Sequence, residues 1–166
     1  MSTDELLKQA CIKHLLEGRD RLHKCVGLLT HEQLWHRANA NTVSVGNLVL
    51  HLCGNVGQWI NSTLGGASDH RHRDAEFADM GSLDKPALLA RLDEVMDLAQ
   101  RTISGLGQEQ LAKEYAVQCY HETGVAIIVH VTEHFSYHVG QVTLHTKLLL
   151  DVDTGYYAGQ DLSKTN

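Results

Sequence analysis

Apolar residues recur at helical spacing along most of the chain. Leu6, Leu7, Ala10, Leu15, Leu22, Val26 and Leu29 roughly follow the 3.6-residue period and predict a first helix from about Asp4 to Leu29. Thr30-His-Glu-Gln33 then has the form of a capping box, so a short helix is expected to start at His31. A second long helix is expected from about Val43 to Leu64, stopped by Gly65-Gly66. A third begins near Ser82, with Pro86 in its first turn, where a missing N–H costs little. It carries Leu88, Leu89, Leu92, Val95, Met96, Ala99 and Ile103 and ends at Gly105 and Gly107. The pattern weakens from Gln108 to Glu122, where Tyr115 to Tyr120 has the look of an extended stretch. It returns in a last long helix from about Thr123 to Leu150, followed by a tail, Asp151 to Asn166, expected to pack loosely.

Four long helices with modest connections predict an all-α four-helix bundle, with residues 1–166 as a single domain. The single proline and few aromatics fit this better than a β-rich fold.

The two faces of the last helix carry the first chemical clue. With His134 at zero and ~100° per residue, Ile127, Val131, Val142 and Leu149 fall within one narrow arc. His134, His138 and His145 lie inside or at the edge of that arc, while Glu133, Ser136, Gly140, Thr143 and Lys147 lie opposite. A buried imidazole needs partners for its ring nitrogens, and two imidazoles one turn apart can satisfy their lone pairs on one cation. His130 is also in the run, but it stands ~12 Å along the axis from His138, too far for both to share an ion comfortably. The pair nearer the apolar centre, His134 and His138, is therefore taken as ligating, with His130 as a pocket residue and His145 as a core or hydrogen-bonding histidine.

The second long helix carries a complementary stripe of Ser44, Asn47, His51, Asn55, Gln58 and Ser62. An ordinary surface helix would place Lys or Glu there. Neutral amides, hydroxyls and a histidine suit an interior polar cavity or a subunit interface. His51 is thus the third candidate ligand, with Asn55, Gln58 and Trp59 near the mouth of the site. Three imidazoles leave an open position on zinc or a similar ion, which favours catalysis over a structural staple. A fourth ligand from His121, Glu122 or His130 would reverse that preference. Glu133 points about 100° away from His134 and is a poor general base.

Composition narrows the partners. The net charge of −6 argues against a nucleic-acid or anionic-membrane partner. Residues 38–68 carry no charged side chain, but they hold too many Asn, Gly, Ser and Thr for a membrane span. Four cysteines without a C-x-x-C pair, behind a polar and acidic N-terminus, suggest reduced thiols and a cytoplasmic protein. Cys53 reads as a small core residue. Of the 12 histidines, His14, His23, His31, His36, His70 and His72 sit among charged residues and are expected in solvent, as is the whole cluster His70-Arg71-His72-Arg73.

Asn47-Leu-Val-Leu-His51-Leu-Cys-Gly-Asn55-Val-Gly-Gln-Trp59 and His134-Phe-Ser-Tyr-His138-Val-Gly-Gln141 resemble the DinB-like superfamily of metal-binding four-helix bundles. Gly65-Gly66, Arg73-Asp74 and Glu76-Phe77 resemble a branch of it catalogued only as a domain of unknown function. The resemblance spans most of the chain. It implies a divalent metal, nickel or zinc, on His51, His134 and His138, and homodimers as a common assembly. It also implies kinship with thiol-dependent S-transferases and a mycothiol-dependent isomerase. His130, Tyr137 and Gln141 would then join Asn55, Gln58 and Trp59 around a small-molecule substrate. No general catalytic residue is assignable. The competing readings are a non-catalytic metal-binding stress protein and a small-molecule-binding bundle without metal.

Overall fold

The computed structural model describes residues 1–165. Helix α1 (Thr3–Leu28) is capped by the Ser2 hydroxyl, which accepts from the Glu5 N–H. The predicted capping box is present at α2 (His31–Leu34). Helix α3 (Val45–Val56) opens with a second one, formed by Ser44 and Asn47 of the polar stripe. Then come α4 (Arg73–Ala78), α5 (Lys85–Gly105), α6 (Gln108–Ala112), strands β1 (Glu114–Val117) and β2 (Tyr120–Thr123), and α7 (Gly124–Leu150). Helices α1, α3, α5 and α7 form the bundle: α1 packs on α7 and α5, and α3 packs on the same two. Leu22, Leu52, Leu92, Ile127 and Phe135 meet in its core. Gly18 lets α1 approach α7 closely, since a Cβ there would stand 2.8 Å from the Phe135 ring.

Three features depart from the sequence expectation. The second long helix changes register: α3 ends at Val56 and Gly57–Leu64 winds as a π-helix. Thr63 turns its hydroxyl back onto the Gln58 carbonyl at 2.9 Å and Gly65 N–H reaches the Ile60 carbonyl at 3.0 Å, both five residues back. Only Trp59, Ile60 and Leu64 are apolar in these eight residues, too few to fix a period from the sequence. The stretch expected to be extended is so: Glu114–Thr123 forms an antiparallel hairpin pairing Val117 with Tyr120, and its first turn residue, Gln118, has φ 53° as tight hairpin turns require.

The part of the uncharged stretch that forms α3 is covered by its own chain. Short α4 lies across α3, and the Asn47 side-chain amide donates to the carbonyls of Glu76 (2.9 Å) and Asp79 (2.8 Å). Ser44, Asn47, His51 and Asn55 are all buried within the chain. Finally, the first part of the tail is docked, while residues 157–165 are exposed: the Tyr156 hydroxyl lies 3.0 Å from Cys25 Sγ and 2.9 Å from Thr143 Oγ1, and the Arg21 guanidinium sits over its ring. Only Asn166 lies outside the described residues.

No helix among the described residues is long and apolar enough to cross a membrane. All four cysteines are free; Cys53 is a buried core residue, and burial pushes its thiol up to about 12.

Candidate metal centre

His51 projects from the middle of α3, and His134 and His138 from successive turns of α7, which packs against it. Their ring nitrogens converge. His134 Nε2 lies 3.2 Å from His51 Nε2 and 3.2 Å from His138 Nε2. The ligand atoms of the three residues all fall within 4.8 Å of one another. Four nitrogens held ~2.0–2.1 Å from a tetrahedral ion are ~3.3 Å apart, so the observed spacing is that of a ligand set.

The outer ring nitrogens decide the tautomers. His51 Nδ1 is 2.9 Å from Glu76 Oε2, a carboxylate that can only accept, so Nδ1 carries the proton. The Arg71 guanidinium also comes within 3.2 Å of that nitrogen, but it donates to both oxygens of Glu76 at 2.8 and 3.1 Å, where its hydrogens are satisfied. His138 Nδ1 is 2.6 Å from Gln141, whose carbonyl oxygen accepts in the same way. Both histidines therefore present bare Nε2 lone pairs to His134. A single proton on His134 Nε2 can answer only one of them, and His134 Nδ1 is buried without a partner. A cation at the centre would answer all three lone pairs, so the donor set fits a divalent metal ion.

Electrostatics point the same way. Burial, then the neighbouring His138 and His51, lower the His134 pKa to about 3, so it stays neutral and able to ligate. Burial also lowers His138, against a raising contribution from Gln141. Burial would raise Glu76, but the hydrogen bonds from His51 and Arg71 outweigh it and hold the carboxyl below its ordinary range.

Glu76 reaches His51 because residue 54 is glycine. A Cβ on Gly54 would overlap the Glu76 carboxylate and stand 2.9 Å from Arg71 Nε. Arg71, expected in solvent with its neighbours, is instead buried, its side chain 4% exposed in the pair with Glu76. An isolated charge would not survive there, and the paired carboxylate is what the local sequence did not reveal. His70 and His72 on either side are exposed, as expected.

A cleft of about 450 Å³ opens beside His51 and His134. Asn55, Trp59 and His130 line it, and the His130 ring stacks on Trp59 at 4.4 Å between centroids. The other three expected substrate residues stand elsewhere. Gln58 turns aside to brace the rim: it donates to Asp69 (2.7 Å) and accepts from Arg71 (3.1 Å) and Gln118 (2.8 Å). Gln141 orients His138 from behind. Tyr137 is 61% exposed on the outer side of α7, its ring 5.0 Å from that of His138. Arg71, Arg73, Gln118, Tyr120 and Glu122 also line the cleft and were not expected there as lining residues; they come from the α4 approach and the hairpin, which no helical periodicity shows. Among the described residues, His121, Glu122 and His130 do not join the three-histidine cluster. Glu133 faces the opposite groove, between α1 and α7.

The helix order is that of a DinB-like fold. The chain is similar to a DinB-like protein of Bacillus subtilis, YjoA, with a TM-score of 0.65 and 16% identity over 87% of this chain and 94% of that one. It is also similar to a conserved protein of Enterococcus faecalis, with a TM-score of 0.74 and 16% identity over 92% and 99%. At this identity the likeness establishes the fold. Residues 2–156 match the family described as "Protein of unknown function (DUF1572)", and the chain belongs to that family. No curated protein matches it.

Proposed function

We propose that this protein is a metal-dependent catalyst of the thiol S-transferase-like kind, acting on a small molecule held in the cleft beside His51 and His134. The observation that carries the reading is the convergence of three Nε2 atoms with no fourth protein ligand among the described residues, on the edge of an open cleft. A divalent ion held there, zinc or nickel, would supply a Lewis acid that acidifies a bound thiol or water near neutral pH. The chain's own contribution is holding and shielding. Glu76 and Gln141 fix the tautomers of His51 and His138. Trp59 and His130 give the cleft an aromatic wall. A structural metal would ordinarily have all four positions filled by protein, which favours the catalytic reading over a staple. The family resemblance suggests a second copy of the chain as partner, and the exposed Tyr137, Leu144 and Leu148 on α7 are the apolar surface available for it.

The test compares wild type with His138→Ala across a set of thiols and electrophilic acceptors. Turnover by the wild type should vanish when a chelator removes the ion and return with a divalent metal. Equal turnover by the two proteins, or turnover indifferent to demonstrated metal removal, excludes a catalytic ion.

A further inference from the structure

The cleft has a charge pattern that the metal centre does not use. Two arginines line it. The Arg71 guanidinium is spent on Glu76 and Gln58. Arg73 has no ion pair or hydrogen bond among the described residues; its guanidinium rests 4.9 Å above the Phe77 ring, and Phe77 in turn stacks 4.8 Å from the His51 ring. That column holds a free cation at the cleft wall beside the ligand set. On the hairpin side stands Glu122, half-buried and likewise unpaired among the described residues. Its backbone is fixed by its β-pairing with Tyr115. The two do not pair with each other, although both face the same cleft. Further down the same wall, Trp59 Nε1 and Asn55 Oδ1 are buried without partners, one a donor and one an acceptor.

An unpaired guanidinium and an unpaired carboxylate on one cleft of about 450 Å³ are matched by a ligand that carries both signs. We infer that the cleft is a subsite for a small zwitterion of about dipeptide size, with its anionic group on Arg73 and its cationic group on Glu122. Arg73 is exposed and Glu122 half-buried, so a ligand with one charge would forgo one of the two charge-assisted contacts, and the arrangement favours the zwitterion over singly charged analogues. This rests on the reading of the cleft as the substrate site, and it adds the chemical class of the ligand.

Three probes on one scaffold test it: the dipeptide Cys-Gly, its N-acetyl form, which lacks the cation, and its C-terminal amide, which lacks the anion. Binding to cobalt(II)-loaded protein is followed by calorimetry, which sees any binding, and by the thiolate-to-cobalt absorption band, which sees only sulfur at the metal. Cys-Gly should bind on the order of tenfold more tightly than either analogue. Arg73→Gln should weaken Cys-Gly and the N-acetyl form but not the amide. Glu122→Gln should weaken Cys-Gly and the amide but not the N-acetyl form, and Arg73→Lys should recover part of the loss. Equal affinities for the three probes, or variants that weaken all three alike, overturn the zwitterion subsite. The crossed pattern by calorimetry without an absorption band keeps the subsite and sinks the thiol reading. A band without the crossed pattern does the reverse, and no binding by any probe rejects both.

Discussion

The two sides of the metal centre are held by different means. On α7, His134, His138 and Gln141 lie within eight residues, and the helix alone sets their spacing and the 2.6 Å bond from His138 to Gln141. On α3, His51 depends on a residue 25 positions away: Glu76 must be carried across by α4, paired with a buried Arg71, and admitted by a glycine at 54. The α7 side is built by secondary structure and the α3 side by tertiary structure. A site of this kind gains its geometry cheaply on one side and is vulnerable on the other, because a small shift of α4 reaches the ligand set through a single carboxylate.

The comparison breaks most severely if the ligands themselves are unequal. Replacing any of His51, His134 or His138 by alanine should remove most of the bound metal, measured by elemental analysis after dialysis, while His70→Ala and His72→Ala should leave it in place. Both sides contribute essential ligands, so the loss should be of similar size for His51 and His138. Full stoichiometric metal in all three core variants would end the assignment, and loss in only the α7 variants would make His51 a bystander.

A sharper separation comes from the orienting residues. Glu76→Gln should lower metal affinity by roughly 10- to 100-fold, the usual cost of losing a carboxylate behind a ligating histidine. Gly54→Ala should reproduce much of that loss without touching any polar group, because the new methyl displaces Glu76 from His51. Gln141→Leu should cost less, since the α7 helix still aims His138 when its hydrogen bond is gone. Competition titrations with a calibrated chelator rank the three. If Gln141→Leu proves the worst, or Gly54→Ala matches wild type, the tertiary brace is not what orients His51.

The same division governs what was legible in the sequence. His134 and His138 could be paired by period, and the capping box at Thr30 by its motif, because both are local. The neutral stripe on the second helix correctly marked Ser44, Asn47 and Asn55 as lying away from solvent, yet what covers them, α4, has only six residues and no apolar period to announce it. Arg71 was misplaced for the same reason: a guanidinium beside two histidines reads as surface unless its carboxylate partner is known. Gln58 and Trp59 were both expected at the mouth; in the π-helical segment Gly57–Leu64, Trp59 lines the cleft while Gln58 braces its rim. The helices were thus readable, and the short connecting elements that finish the site were not.

The smallest effect expected is on the stability of the metal-free protein, and it follows from the neutral state of the half-buried His134 ring. His134 has a folded-state pKa of about 3, against roughly 6.5 for an unperturbed histidine in the unfolded chain. Between those values the unfolded state binds the extra proton, so stability rises with pH there. The contribution is fully present above about pH 6.5 and is lost progressively as pH falls toward 3. His138, also lowered, acts in the same direction, whereas the depressed Glu76 carboxyl loses its contribution only in the acid range below ordinary carboxylate values. The urea midpoint of metal-free protein should therefore fall between about pH 7.5 and pH 5, more steeply in wild type than in His134→Gln, which has no proton to take up there. Saturating metal should raise the midpoint most at the upper end, where the ligands compete least with protons. A wild-type midpoint that is flat across this range, or a slope unchanged by His134→Gln, would mean that the ring is solvated, and the cluster would then be open to water on the α7 side as well as at the cleft.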